Sequence, residues 1–285
     1  NTLTVSVAGQ AAAVTARAHE LGLHLRLTDA DRVGVSLSAV TNRAHVARVL
    51  EAFGVGGEVE KLQGGQGAVF ASKDVVFKRA ANDTEAIWIA ETQLGMEQRG
   101  FRVARPVASV SGSFVIDGWT AWTRLRGEHQ LRGGPWPLVV RLCARFHDAL
   151  EHVPRPAFLE RRDDNFARAD RIAWNELVVP LPSEIQAVVE RLESKVRPIH
   201  ESSQVIHADF AGNILFDEGC DPAVIDLSPY WRPASYAIAL TVVDAVLWYG
   251  GSLDLLGELR HVADAQQMVA RALIFRLAID GLFAL

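Results

Sequence analysis

The sequence predicts an α+β fold, with short strands in its first half and long helices in its second half. Short alternating or apolar runs, such as residues 69–78, are typical of an antiparallel sheet. Longer amphipathic or apolar runs, such as 138–150 and 234–248, are typical of packed helices. The 285 residues, 49% hydrophobic and 22% charged, suffice for two domains and a sizeable core.

Residues 1–53 are predicted to form a small β-α-β-β-α domain appended to the remainder of the chain. Alternating residues predict three strands, at 2–7, 23–27 and 32–37. Two helices are predicted, at 11–21 and 44–53, with Gly22 ending the first and Thr41-Asn42-Arg43 capping the second. We interpret this segment as a structural appendage.

Four strings in this appendage resemble a fragment of the glycine-cleavage P-protein, a pyridoxal-phosphate decarboxylase. They are 1–5, 23–27, 33–37 and Thr41-Asn42-Arg43. The resemblance covers a small part of the chain, and residues 1–53 contain no lysine that could form a Schiff base with the cofactor. It therefore implies a subdomain shape and no pyridoxal-phosphate activity.

A glycine-rich turn follows in residues 54–130, which we interpret as a nucleotide-binding region. The turn consists of Gly64, Gly65, Gln66 and Gly67 between two predicted strands. Glycines let backbone N–H groups approach phosphate oxygens that a Cβ would hold away. No helix and no Gly-Lys-Ser/Thr string follows, which excludes a Rossmann or Walker A loop. A plain hairpin turn explains these glycines about equally well.

The remaining elements are predicted as strands followed by helices. Strands are expected at 103–110 and 113–116, paired around Ser111-Gly112, and at 118–125. Helices are expected at 138–150, 183–201, 234–248 and 268–285. Charged residues interrupt the last two apolar stretches, so each is predicted to be a buried helix and not a membrane span. Asp244 in the first of them is expected to pair with an arginine.

Polar residues interrupt two apolar runs that are predicted to be buried strands. His207, Asp209 and Asn213 follow the run 205–206, and Asp226 ends the run 223–225. Phosphoryl transfer suits this pattern, because one carboxylate accepts the proton of the attacking hydroxyl and a second, with an amide, holds Mg²⁺.

In that interpretation Asp209 is the catalytic base, with His207 as the structural support of the catalytic loop. Asn213 and Asp226 are the metal ligands. The alternative for this stretch is an ordinary hairpin with an Asx-turn.

The string from His207-Ala208-Asp209 to Asn213, with Val224-Ile225-Asp226, resembles the catalytic and metal loops of the aminoglycoside phosphotransferase and choline kinase group. Its continuation through residue 233 resembles an actinobacterial subset of that group. The resemblance implies a bilobal protein-kinase-like fold, with an antiparallel-sheet N-lobe over 54–130 and a mainly helical C-lobe over 131–285. It also implies ATP and Mg²⁺ as cofactors. One departure is that Asn213 follows Asp209 by four positions, where the family pattern has five.

A lysine ends the apolar strand after the glycine turn. In kinases, a lysine at this place contacts the α- and β-phosphates, and Lys78 is the candidate; a solvated strand end is the alternative. Such a lysine pairs with a helix glutamate, and Glu85 and Glu91 both qualify on the helix that Asn82 or Asp83 caps. We choose Glu85, whose alternative role is to complement the helix dipole.

Charge and cysteine content exclude several other classes. A net charge of −5 without a basic run argues against nucleic acid as a partner. The two cysteines, Cys143 and Cys220, provide neither a disulfide framework nor zinc spacing, which fits the reducing cytoplasm. No signal segment and no membrane span are predicted. The oligomeric state is not indicated.

The sequence therefore predicts an ATP-dependent phosphotransferase that moves the γ-phosphoryl group to a hydroxyl of an unidentified small molecule. The alternative is a kinase-like nucleotide-binding or regulatory module without transferase activity, for which the short loop between Asp209 and Asn213 is the argument. Candidates for contact with the acceptor are the charged stretch 161–171 and Tyr230, Trp231 and Arg232, with surface exposure or packing as the alternative. His147 is interpreted as a satisfied helix-end residue.

Overall fold

The computed structural model describes residues 2–36, 42, 44–45, 48–49, 60–62, 69–109 and 112–284. Its strands are β1 (Thr2–Ser6), β2 (Arg26–Asp29), β3 (Arg32–Ser36), β4 (Glu60–Lys61), β5 (Val69–Ser72), β6 (Val75–Arg79), β7 (Arg102–Val103), β8 (Val115–Ile116), β9 (Trp119–Thr123), β10 (Gln204–His207), β11 (Ile214–Leu215), β12 (Ala223–Val224) and β13 (Pro229–Arg232). Its α-helices are α1 (Ala11–Glu20), α2 (Asp83–Gly95), α3 (Trp136–Asp148), α4 (Asn165–Ala173), α5 (Ser183–Glu193), α6 (Ala234–Trp248) and α7 (Ala265–Phe283). Two 3₁₀ helices span Ala157–Arg161 and Leu253–His261.

The chain forms two compact units. One consists of Asn1–Arg79 and Trp119–Arg124, and the other of Ala80–Gly118 and Leu125–Leu285. The predicted domain boundary between residues 53 and 54 lies outside the described residues, as do the four residues of the predicted glycine turn, Gly64 to Gly67.

An antiparallel sheet of order β1-β3-β2 begins the first unit, and α1 packs Ala11 and Val14 against Val33 of this sheet. The prediction of a strand at 23–27 is wrong in position, because β2 starts at Arg26. Residues 21–25 instead complete the end of α1, where the N–H of Leu23 donates to the carbonyl of Ala18 at 2.9 Å. Of the predicted helix 44–53, residues 44–45 and 48–49 are described and helical.

A second antiparallel sheet in this unit contains β4, β5, β6 and β9 in that order. Most of its apolar residues are β-branched or aromatic, as suits a pleated, half-buried surface. Lys78 lies in β6 between two partners, opposite Val69 of β5 and Thr120 of β9. The lysine is thereby placed in the middle of the sheet.

Short strands and long helices form the second unit. β10 pairs with β13 and β11 with β12, both antiparallel, while β12 pairs in parallel with β7. The predicted strand 103–110 paired with 113–116 is therefore wrong. Pro106 lacks a backbone N–H for a ladder, and Arg105 donates to the carbonyl of Leu94 at 2.8 Å, which holds this segment against the end of α2.

The core of the second unit lies among its helices, where α7 packs against α4, α5 and α6. Its fully buried large side chains include Tyr236, Phe101 and Phe146. The predicted helix 183–201 is wrong beyond Glu193, where α5 ends. Pro198 disfavours the helical conformation of Arg197, whose N–H donates to Oε1 of Gln267 at 2.8 Å.

The two apolar stretches near the C-terminus are buried helices, α6 and α7, as predicted. Within the part of the chain that the structure describes, no helix has the length and apolar character needed to cross a bilayer. The mixture of antiparallel sheets and packed helices confirms the predicted α+β class.

Candidate active site

Two loops of the second unit meet because their flanking strands pair. The Asp209 loop (208–213) connects β10 to β11, and the Asp226 loop (225–228) connects β12 to β13. The N–H of Ala208 donates to the carbonyl of Ser228 at 3.1 Å, and the N–H of Ile225 donates to the carbonyl of Asn213 at 3.0 Å. These backbone bonds hold the two predicted polar loops side by side.

His207 links the two loops through its side chain. Its Nε2–H donates to the carbonyl of Ile225 at 3.2 Å, and its Nδ1 accepts the N–H groups of Asp209 and Ser228, each at 3.3 Å. The ring is fully buried, which lowers its pKa, while the carboxylates of Asp209 and Asp226 oppose this shift. The hydrogen bonds and the lowered pKa both favour a neutral ring with its proton on Nε2.

A second buried histidine holds the first. Nε2 of His147, at the end of α3, accepts the backbone N–H of His207 at 3.0 Å, and its Nδ1–H donates to the carbonyl of Cys143 at 2.7 Å. Burial lowers the pKa of His147 to about 4, which keeps the acceptor nitrogen unprotonated. His147 is thus satisfied, as predicted, but its contact with the site has no sequence signal.

Asn213 binds back onto Asp209 across the short loop. Its Nδ2–H₂ group donates to the carbonyl of Asp209 at 2.6 Å and to Oδ2 of the same residue at 3.1 Å. The Asp209 side chain is 56% exposed, so its carboxylate remains accessible from solution. The four-residue spacing therefore still brings the amide and the carboxylate together.

A glycine allows this loop to pass close to an aromatic residue. A Cβ on Gly212 would lie 2.5 Å from Oη of Tyr249, whose ring stacks on Trp136 with centroids 5.6 Å apart. Burial raises the pKa of Tyr249, and the carboxylates of Asp209 and Asp244 add to the rise. Tyr249 therefore belongs to the surroundings of Asp209, although no sequence pattern pointed to it.

Asp226 occupies a backbone conformation that few residues adopt. Its φ of 53° lies in the left-handed region, which aspartate tolerates better than most non-glycine residues. The residue is exposed, and its charge acts on the pKa of His207 together with that of Asp209. His207, Asp209, Asn213 and Asp226 are thus brought into one neighbourhood.

The arginine partner predicted for Asp244 is Arg276 of α7. Its Nε–H donates to Oδ1 of Asp244 at 2.6 Å, and its Nη2 group bonds the other carboxylate oxygen. The same Nη2 group donates to the carbonyl of Ala208 at 3.0 Å, in the Asp209 loop. The pair is confirmed, and the structure adds its contact with the site.

The predicted lysine and glutamate belong to different units. Lys78 is half-buried in β6, and its carbonyl accepts the hydroxyl of Thr120 at 3.2 Å. Glu85 lies in the first turn of α2, where its N–H donates to Oδ1 of Asn82 at 3.1 Å, so Asn82 is the N-cap.

Glu85 is half-buried, whereas Glu91 is exposed. Burial raises the pKa of Glu85, and the nearby Arg162 opposes the rise. Arg162 is a charge partner that the sequence did not suggest.

The three acceptor candidates after Asp226 take part in packing. Arg232 forms ion pairs with Asp170 and Glu176, at 2.7 and 2.6 Å, and its guanidinium lies over the ring of Trp174. The hydroxyl of Tyr230 accepts a hydrogen bond from Arg162 at 3.2 Å. Together with Trp231 these residues also line a cavity of about 580 Å³.

Fold and site together define a phosphotransferase of the protein-kinase-like fold. Residues 61–230 match the model of the phosphotransferase enzyme family, and the chain belongs to this family. The predicted enzyme class is thereby confirmed.

Solved structures share the fold. Spectinomycin phosphotransferase APH(9)-Ia, in complex with ADP and spectinomycin, is 12% identical, with 85% of this chain and 86% of that chain covered and a TM-score of 0.54. Amicoumacin kinase hAmiN, in complex with AMP-PNP, Ca²⁺ and Ami, is 17% identical, with 79% and 80% covered and a TM-score of 0.55. Choline kinase LicA from Streptococcus pneumoniae is 14% identical, with 79% and 83% covered and a TM-score of 0.50. The predicted fold class is confirmed.

A second similarity covers a short segment. Over 55 residues, the chain is 44% identical to glycine dehydrogenase (decarboxylating) from Cereibacter sphaeroides. These residues make up 19% of this chain and 6% of the length of that protein. The predicted resemblance is thus confirmed as a partial one.

Proposed function

We propose that this phosphotransferase moves the γ-phosphoryl group of ATP to a hydroxyl group of a small molecule, with Asp209 as the catalytic base. The observation that carries the proposal is the setting of Asp209. Its carboxylate is accessible from solution, one of its oxygens accepts a hydrogen bond from Asn213, and its backbone N–H is held by His207. A base needs this combination of accessibility and fixed direction.

Asp209 has two tasks in the proposed reaction. Its carboxylate orients the acceptor hydroxyl and takes up its proton as the acceptor oxygen forms a bond to the γ-phosphorus. The bond from that phosphorus to the bridging oxygen breaks, and ADP leaves with the electron pair. The neutral His207 keeps the loop in place and does not exchange a proton.

The residues near Asp209 fit a magnesium ion. Asn213 makes both of its bonds to Asp209 through the amide nitrogen, which leaves its amide oxygen for a cation, and Asp226 supplies a carboxylate. Among the described residues there is no cluster of three or more His, Cys, Asp or Glu side chains arranged to bind a metal ion. Mg²⁺ suits such a sparse set, because it commonly takes one or two carboxylates and completes its shell with phosphates and water. When bound, it neutralises phosphate charge.

We also propose that Lys78 and the glycine turn Gly64-Gly65-Gln66-Gly67 contact the phosphates of ATP, and that Glu85 pairs with Lys78. The family match and the related structures that contain ADP and AMP-PNP support the use of a nucleotide. The residues themselves are assigned from the sequence pattern. Similarity to a spectinomycin phosphotransferase and a choline kinase also supports a small hydroxyl-bearing acceptor.

A screen tests the proposed function. Purified protein with Mg-ATP is offered a panel of hydroxyl compounds, including aminoglycosides, spectinomycin and choline, and phosphorylated product is detected by mass spectrometry. Mg-ATP at a hundredfold excess over its Kd is expected to stabilise the fold by about 2.7 kcal/mol. Absence of both stabilisation and product contradicts the proposal.

The second candidate is a nucleotide-binding module without transfer, and the shortened loop between Asp209 and Asn213 is the observation that favours it. Stabilisation by Mg-ATP without any phosphorylated product across the panel supports this candidate instead. Product formation that depends on Asp209 rejects it.

A further inference from the structure

One side chain of the C-terminal helix α7 contacts the backbone of the Asp209 loop. The Nη2 group of Arg276 donates to the carbonyl of Ala208 at 3.0 Å and lies 3.9 Å from Oδ1 of Asp209. The same guanidinium is held by the carboxylate of Asp244 on α6. One arginine thus connects two buried helices to the residue proposed as the base.

The peptide group between Ala208 and Asp209 is held at both ends. Its carbonyl accepts a hydrogen bond from Arg276, and its N–H donates to Nδ1 of His207. A peptide plane bonded on both sides resists rotation, and its orientation sets the direction in which the Asp209 side chain leaves the backbone. Arg276 therefore acts on the position of the carboxylate.

The two oxygens of that carboxylate have different neighbours. Oδ2 accepts a hydrogen bond from Nδ2 of Asn213, and Oδ1 faces the guanidinium of Arg276. A donor on one oxygen and a cation near the other fix the plane of the group. The face that remains exposed is the one from which an acceptor hydroxyl can approach.

Stability alone does not account for the ion pair behind the loop. The side chains of Asp244 and Arg276 are only 5% and 14% exposed. Burial raises the pKa of Asp244 while Arg276 opposes the rise. Taking both charges out of water costs about as much as their attraction returns, and apolar residues of similar volume often serve a core as well. The contact with the Asp209 loop supplies a reason for a charged pair here.

We propose that Arg276, held in place by Asp244, is a positioning residue that fixes the Asp209 loop for phosphoryl transfer. This rests on the proposed function of Asp209. The alternative is a purely structural pair that joins α6 to α7.

The chain offers a matched control on the same helix. Arg271 is also buried in α7, and it donates to the carbonyls of Ala173 and Arg197 at 2.8 and 3.0 Å. Its guanidinium lies 4.4 Å from the ring centroid of Trp174. None of these contacts involves the Asp209 loop, so Arg271→Met removes a buried arginine without removing a contact to that loop.

The test compares Arg276→Met/Asp244→Leu, Arg276→Lys and Arg271→Met with the parent protein. The double variant removes both charges, so neither is left unpaired in the core. Three quantities are measured: hydrogen–deuterium exchange of the segment 205–213, thermal unfolding, and the kcat and KM values for ATP and for the acceptor found in the screen.

A positioning role predicts faster exchange of this segment in the double variant and a kcat lower by roughly 10- to 100-fold at unchanged KM values. Arg276→Lys recovers part of kcat, because its ammonium group restores a donor near Ala208. Arg271→Met lowers the unfolding temperature and leaves kcat and the exchange of 205–213 at the parent level.

Parental exchange and parental kcat in a folded double variant overturn the proposal, and so does an equal kcat loss in Arg271→Met. If the double variant does not fold, Arg276→Lys decides. A kcat below the parent value with faster exchange of 205–213 supports the proposal, and parental kcat with parental exchange overturns it. If the parent protein transfers phosphate to no acceptor, the proposed function fails. The exchange measurement then still decides whether Arg276 holds the loop.

Discussion

The backbone N–H of His207 donates a hydrogen bond to Nε2 of His147, 3.0 Å away in the buried end of α3. His207 in turn accepts the N–H of Asp209 and donates to the carbonyl of Ile225. Two neutral histidines therefore connect the helical core to both loops of the candidate site. The proton of each ring is assigned by this pattern of donors and acceptors.

Substitution of His147 should destabilise the fold. His147→Phe leaves the N–H of His207 buried without an acceptor, which costs about 1–3 kcal/mol. Urea unfolding measures the loss. His152→Phe, at an exposed position four residues beyond α3, is the control and is expected to unfold near the parent midpoint. Equal midpoints for His147→Phe and the parent protein would contradict the described hydrogen bond.

The lowered pKa of His147 predicts that the free energy of unfolding depends on pH. The pKa of His147 falls from 6.5 to about 4 on folding, so between these values the unfolded chain binds more protons than the folded one. Stability is therefore expected to decrease as pH falls from 6.5 towards 4, by about 3 kcal/mol for this group. Burial lowers the pKa of His207 as well, which acts in the same direction. The free energy of unfolding, measured across this range, should show a smaller slope in His147→Phe.

Gly212 should not tolerate a side chain. In Gly212→Ala the new Cβ meets Oη of Tyr249, and the stacking of this tyrosine on Trp136 limits how far it can move. We expect a loss of roughly 1–3 kcal/mol in the free energy of unfolding and reduced turnover. The second substitution Tyr249→Phe removes the clashing oxygen and should restore part of both. Gly257→Ala has open space at its Cβ and serves as the control.

Removal of the proposed metal ligands should weaken the binding of Mg²⁺. Asp226→Ala is expected to lower turnover and nucleotide affinity together, because bound metal neutralises phosphate charge. Asn213→Ala should raise the Mg²⁺ concentration needed for half-maximal activity and also loosen Asp209. A titration of activity with Mg²⁺ measures both effects. Parental titration curves in both variants would reject these residues as ligands.

The sequence predicted those features that depend on local composition. The apolar stretches that became α6 and α7 were predicted to be buried helices, and not membrane spans, because charged residues interrupt them. Asp244 was expected to pair with an arginine. Polar side chains at the ends of two apolar runs led to the prediction of a site at Asp209, Asn213 and Asp226, and the pairing of β11 with β12 places the two loops side by side.

Contacts between distant residues had no such signal. His147 and Arg276 lie 60 and 68 positions from their partners in the Asp209 loop region, so no spacing connects them to it. β7 was assigned to a local hairpin, whereas its partner β12 lies more than a hundred residues further along the chain. Parallel pairing of this kind depends on the tertiary fold and leaves no turn signal in the sequence.

The central claim is that Asp209 acts as the base, and single-turnover transfer of labelled γ-phosphoryl from ATP tests it most directly. Asp209→Asn keeps the size of the side chain but cannot accept the proton, so transfer should fall by at least about a hundredfold while Mg-ATP binding is retained. The exposed Asp221→Asn is the matched control and should transfer at the parent rate. Parental transfer by Asp209→Asn would contradict the claim.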